Sequence, residues 1–83
     1  MSVFQEKFLR RPDVLAMVGV RKTSLDTAIA DGIFPPPIKL LGARAVGWVA
    51  SEVEAVIQAR LTGRSNDDVR ALVAGLVSNR GHR

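Results

Sequence analysis

Apolar residues near the start of the chain recur at helical spacing over a short stretch. Val14, Leu15 and Val18 share one face of a helix. Pro12 suits the first helical position, where its missing N–H has no intrahelical partner to lose. Gly19 can supply the left-handed residue that ends a helix. The pattern therefore predicts a short first helix.

A second helix is predicted after a tight turn, from about Lys22 to Asp31, and Gly32 ends it. Its apolar stripe, at positions i, i+3 and i+4, consists of Leu25, Ala28 and Ile29. Its opposite side carries short polar side chains and one long cation, the types that reach base edges and phosphates. These outward residues are Lys22, Thr23, Asp26 and Thr27, with Ser24 near the N-terminal end.

Three consecutive prolines, residues 35–37, exclude a helix because they remove three backbone donors in a row. We call them the proline segment and expect it to be stiff and extended. Residues 38–40 and 46–48 then have the pattern of paired strands, and a turn between them contains Gly42. The cations of this hairpin are Lys39 on the first strand and Arg44 near the tip. A helix-turn-helix followed by a basic hairpin is typical of winged DNA-binding domains.

The second half of the chain predicts two more helices. Ser51 and Glu54 have capping-box spacing, in which each side chain satisfies a backbone N–H group at the start of a helix. The apolar face of that helix consists of Val53, Val56, Ile57 and Leu61. The segment Thr62-Gly63-Arg64 interrupts it.

The last apolar stripe is the most regular in the chain. Ser65 or Asn66 can cap a helix here, and the acids that follow complement its positive end. The stripe itself consists of Val69, Leu72, Val73, Leu76 and Val77. We expect a C-terminal helix over residues 65–80. It either folds back onto so small a core, which we favour, or pairs with a second copy, as a dimer on repeated DNA sites would require.

The composition is basic and contains no cysteine. Twelve Lys and Arg against eight Asp and Glu give a net charge of +4, and most of this excess precedes Trp48. Such a balance favours a polyanionic partner such as double-stranded DNA. The lack of cysteine excludes disulfides and cysteine-based metal sites. The one histidine, His82, has no second ligand-type residue near it, so we expect no metal.

At 83 residues the chain is expected to form one domain over residues 1–83. No apolar run approaches the roughly 18–20 residues that span a bilayer. The first residues also lack the pattern of a signal peptide. We therefore expect a cytoplasmic protein with no membrane partner.

Catalytic chemistry has little support in the sequence. Its acids at Glu52, Glu54, Asp67 and Asp68 all fall in predicted first helical turns. Interaction with the helix dipole explains acids at such positions. Cysteine and tyrosine are absent, so the usual nucleophiles and bases are nearly missing. We expect a protein that is not an enzyme and binds no cofactor.

Three sets of residues favour DNA binding. The N-terminal end of the second helix can present side chains to the major groove. Lys39 and Arg44 on the hairpin can contact the phosphate backbone or the minor groove. The positive face can be extended by Arg10, Arg11 and Arg21. Solubility explains any one of these cations alone, but their order along the chain favours a DNA-binding surface.

Two motifs carry a resemblance to a known family. The first is Gly32-x-Phe34-Pro35-x-Pro37, and the second is Gly42-x-Arg44-Ala45-Val46-Gly47-Trp48 followed by Glu52-Val53-Glu54. Together with the segment from Leu15 to Val20, they make residues 9–62 resemble the AlpA family. Its members are short prophage-borne regulators related to MerR-like winged-helix domains and to phage excisionases. The chain from Ser65 onward lies outside the resemblance.

The resemblance implies a mainly α winged helix-turn-helix with a small β-hairpin that binds short DNA sites. Such proteins regulate transcription of prophage or mobile-element genes, or act as excisionases that bend DNA for an integrase. By position, the candidate DNA-binding residues are Lys22, Thr23, Ser24, Asp26 and Thr27 on the second helix, with Lys39 and Arg44 on the hairpin. Arg21 is added to this set for its positive charge beside the second helix. A rival from another class is a protein-interaction module, such as an antirepressor, that uses the stripe through Leu72 and Leu76.

Two places depart from the family pattern. Members often have a serine where Arg21 stands, so the second helix lacks its usual cap here. They often carry an aromatic and then a basic residue where Asp26 and Thr27 stand. An acid at this face repels phosphates but can accept a hydrogen bond from cytosine N4, so the sequence preference is expected to differ.

Overall fold

The computed structural model describes residues 7–41 and 45–80. Within these ranges the strands and helices are β1 (Phe8–Leu9), α1 (Arg11–Val18), α2 (Lys22–Ala30), β2 (Ile38–Leu41), β3 (Ala45–Val49), α3 (Ala50–Leu61) and α4 (Asn66–Ser78). The mainly helical chain with a small antiparallel sheet confirms the predicted fold class. It is compatible with a winged helix-turn-helix followed by a C-terminal helix.

Helices α1 and α2 form the predicted helix-turn-helix. Gly19 has the left-handed φ of 76°, and its N–H donates to the Leu15 carbonyl at 2.8 Å, so it ends α1 as expected. Gly32 ends the second helix with a φ of 79°. Val14 and Leu25 are the buried residues of the two helices. Helix α1 begins at Arg11, one residue before the predicted start at Pro12.

The sheet has its strands in the order β1-β3-β2, with β3 in the centre. The predicted hairpin is confirmed as β2 and β3, with Lys39 opposite Val46. On the other edge, Leu9 pairs with Trp48 in antiparallel register. This third strand has only two residues, which is too short to give an alternating pattern in the sequence. The hairpin tip, with Gly42 and Arg44, lies outside the described residues.

Trp48 joins the sheet to the rest of the fold. Its side chain is fully buried, and its Nε1 donates a hydrogen bond to the Pro35 carbonyl at 2.9 Å. The Arg11 guanidinium lies 5.2 Å from the ring centroid, within the range of a cation–π contact. Trp48 is therefore a core residue, and so is Phe34, which is 4% exposed.

The C-terminal helix folds back onto the core. Val69 and Val73 of α4 are buried in the same cluster as Val53 and Val56 of α3. The remaining members of its apolar stripe pack against this cluster and are partly buried: Leu72, Leu76 and Val77. Helix α4 therefore lies against α3 within this chain. The Ser65 hydroxyl caps α4 by accepting from the Asp68 N–H at 3.1 Å.

The capping box predicted at Ser51 and Glu54 is wrong. Strand β3 continues into α3 without a turn, so the helix already begins at Ala50, and its N-cap residue is Val49. Ser51 is consequently the second helical residue rather than the cap. Glu54 is exposed.

One other expectation for α3 fails, and one is incomplete. Leu61 is 75% exposed, because it is the last residue of the helix and lies beyond the core. Glu52 lies in the first turn of α3, as expected, but it is also buried, with 5% exposure, and forms an ion pair with Arg80. The Arg80 Nε donates to Glu52 Oε2 at 2.9 Å. A pair separated by this much chain leaves no periodic signal in the sequence.

We expect Trp48→Phe to lower the free energy of unfolding by about 2 kcal/mol. It removes buried ring volume and leaves the Pro35 carbonyl without its donor. Leu61→Ala is the control, and we expect a change of less than about 0.5 kcal/mol because that side chain is largely exposed. Urea denaturation of the two variants checks both values. A Trp48→Phe protein as stable as the native one would contradict this view of the core.

Candidate nucleic-acid interface

The outward face of α2 is polar from Lys22 to Thr27. Leu25 is 1% exposed and points into the core, which turns the neighbouring side chains of the helix towards solvent. All five residues predicted for this face are exposed: Lys22, Thr23, Ser24, Asp26 and Thr27. The helix therefore presents hydroxyl groups, one carboxylate and one ammonium group on a single surface.

Asp26 lies between two cations on this face. Its Oδ1 accepts from Arg11 Nη1 at 3.0 Å, and its Oδ2 accepts from Lys22 Nζ at 3.1 Å. The hydrogen bond from Lys22, and then that from Arg11, lowers the pKa of the Asp26 carboxyl below its ordinary value. The carboxylate therefore stays ionised at neutral pH. The three groups together carry one net positive charge.

Arg11 connects three elements at the edge of this face. It is the first residue of α1, it pairs with Asp26 of α2, and its guanidinium lies over the ring of Trp48 in β3. The sequence suggested Arg11 only as one of several accessory cations. Fifteen positions separate Arg11 from Asp26, so no local spacing rule could have revealed their contact.

Arg21 is exposed and precedes the first turn of α2. Its backbone is extended, and among the described residues its side chain makes no capping hydrogen bond to the helix. This agrees with the missing cap expected from the sequence. The first-turn amides of α2 consequently retain capacity for an acceptor from outside the chain.

The hairpin contributes Lys39, which is exposed on the edge strand β2. It follows the proline segment, whose first carbonyl is held by Trp48. The structure thus describes seven of the eight predicted interface residues, all of them exposed. Arg44, the eighth, lies outside the described residues.

Two other features are absent within residues 7–41 and 45–80: a cluster of metal-ligand side chains and a membrane-spanning helix. This part of the chain contains no cluster of side chains that could hold a metal ion. None of its helices is long and apolar enough to cross a membrane.

Comparison with known proteins identifies the family. The family model described as Prophage CP4-57 regulatory protein (AlpA) matches residues 7–61, which run from the start of the sheet to the end of α3. A relative described as Uncharacterized protein ORF88, from Enterobacteria phage P4, is 39% identical over 63 residues, covering 76% of this chain and 70% of the relative. No solved structure matches the chain significantly. The chain belongs to the AlpA family of prophage regulatory proteins.

Proposed function

We propose that this protein is a sequence-specific DNA-binding transcriptional regulator of a prophage or mobile element. The observation that carries the proposal is the exposed polar face of α2, on the second helix of a helix-turn-helix. The second helix of this motif enters the major groove in the DNA-binding proteins that use it. Membership of a prophage regulatory family supports the same function.

In this proposal, the chemistry of each side chain determines which part of the DNA it contacts. Lys22 and Arg21 at the start of α2, with Lys39 and Arg44 of the hairpin, neutralise phosphates and supply most of the affinity. Thr23, Ser24 and Thr27 lie on the same face and discriminate between bases through their hydroxyl groups and methyl groups. The hairpin binds the backbone beside the groove that α2 occupies.

Asp26 has a positioning role in this proposal. Its carboxylate already accepts hydrogen bonds from Lys22 and Arg11, so it fixes two cations at the DNA-binding face. Its negative charge also opposes the approach of phosphates. It therefore limits non-specific affinity rather than providing it.

Two alternatives differ in their experimental signatures. An excisionase that bends DNA for an integrase uses the same surface, and the mobility of complexes with the site at different places in a fragment separates bending from simple binding. An antirepressor that binds a protein through Leu72 and Leu76 has less support, because both side chains pack against the core.

Lys22→Ala is expected to weaken binding to a fluorescently labelled random-sequence duplex about five- to tenfold at roughly 0.1 M salt, because one phosphate contact and its counterion release are lost. The slope of log affinity against log salt is expected to fall by about one. Fluorescence anisotropy over a salt series measures both quantities.

Arg64→Ala is the matched control for Lys22→Ala. It removes the same charge from the exposed turn between α3 and α4, where Arg64 lies beside residues of those two helices and none of the proposed face. We expect it to retain nearly native affinity and salt slope. Equal losses in the two variants would mean that net charge alone governs binding, and the proposed interface would be wrong.

Asp26→Asn is expected to strengthen binding to the same duplex about three- to tenfold at roughly 0.1 M salt, because a repelling charge is removed and two cations become free. Asp31→Asn makes the same charge change at the other end of α2 and is expected to have a smaller effect. Anisotropy titrations compare the two variants. Weaker binding by Asp26→Asn would instead indicate that the carboxylate contacts a base directly.

A further inference from the structure

Helix α4 and the residues just after it make two contacts that the apolar stripe of the helix does not explain. The helix follows the segment that the family model matches, which ends at residue 61. One arginine in the second turn of α4 and another two residues past its end both reach the segment between α2 and the hairpin, residues 31–37, which we call the connector. These arginines are Arg70 and Arg80.

Arg70 holds the beginning of the connector. Its Nε donates to the Asp31 carbonyl at 3.0 Å, and its Nη1 donates to Asp67 at 2.8 Å. Asp31 is the C-cap residue of α2, where carbonyl groups lack helical partners and a cation is favourable. The Arg70 stem also lies against Gly32, since a Cβ at that glycine would be 3.4 Å from Arg70 Cγ.

Arg80 holds the other end of the connector. Its Nη2 donates to the Pro36 carbonyl at 2.7 Å, and the same guanidinium pairs with Glu52 at the start of α3. Glu52 is buried and lies three residues after the end of β3. The guanidinium therefore links the end of α4 to α3 and to the proline segment through one partly buried ion pair.

These contacts hold a segment that cannot donate backbone hydrogen bonds of its own. The proline segment has no N–H groups and can be fixed only through its carbonyls or by packing. Pro35 accepts from Trp48, and Pro36 accepts from Arg80. Strand β2, which carries Lys39, begins two residues after Pro36.

We propose that α4 sets the position of the hairpin relative to α2, with Arg80 as a positioning residue for DNA binding and Arg70 fixing the other end of the connector. The inference rests on the proposed function. Contacts by α2 and by the hairpin reinforce each other only if the two elements are held at a fixed spacing. Arg80 contributes to affinity without touching DNA.

The test is a double-mutant cycle between Arg80 and Lys39. Glu52→Gln with Arg80→Met removes both members of the ion pair together, so that no unpaired charge is left buried. Binding of the labelled random-sequence duplex is measured by anisotropy for four proteins: native, Lys39→Ala, the paired variant, and all three substitutions together. Circular dichroism establishes that each is folded.

We expect Lys39→Ala to weaken binding about five- to tenfold in the native background and less than about twofold in the paired variant. Lys22→Ala is the control, and its effect is expected to be the same in both backgrounds. A role in stability alone would leave the Lys39→Ala effect unchanged in the folded paired variant, and that result would overturn the inference. If the paired variant does not fold, Arg80→Lys takes its place, because lysine keeps the charge but cannot reach both Glu52 and Pro36 with one planar group.

Other outcomes separate this inference from the proposed function. Native protein that binds no duplex overturns both. Native protein that binds tightly, with no loss from Lys39→Ala, leaves DNA binding intact and overturns the role of α4 in placing the hairpin.

Discussion

The hydrogen bond from Trp48 Nε1 to the Pro35 carbonyl is the contact on which the arrangement of the molecule depends. Trp48 lies in the central strand of the sheet, and Pro35 begins the segment that leads from α2 to the hairpin. Prolines at 35–37 restrict the backbone but offer no donors. The buried indole supplies one, and Arg11 packs on its ring from α1. The Trp48 side chain therefore connects the helix-turn-helix to the hairpin.

The elements of the first half could be predicted because their signals are local. Gly19 and Gly32 take the left-handed conformation that their places after helical stripes required. Leu25 is buried, so the face of α2 opposite to it had to be exposed. The capping box at Ser51 failed for a reason that a local pattern does not contain. Strand β3 runs directly into α3, and the helix begins before the serine.

Two of the ion pairs could not be predicted, because their partners are far apart in the sequence. Arg11 meets Asp26 across fifteen positions, and Glu52 meets Arg80 across twenty-eight. Each acid had a sufficient local explanation, either as a surface charge or as a complement to a helix dipole. Tertiary structure gives them different roles. Asp26 organises cations on the outward face of α2, while Glu52 orients the guanidinium that holds Pro36.

One experiment decides whether α2 and the hairpin form a single DNA-binding face. A duplex is selected from a random-sequence pool and titrated into isotope-labelled protein while the backbone amide signals are followed by NMR. If they do, the amide signals of Thr23, Ser24, Thr27 and Lys39 shift strongly, and those of Leu61 and Arg64 change little. Shifts confined to the end of α3 and to α4, with the amides of α2 unchanged, would contradict the single-face arrangement.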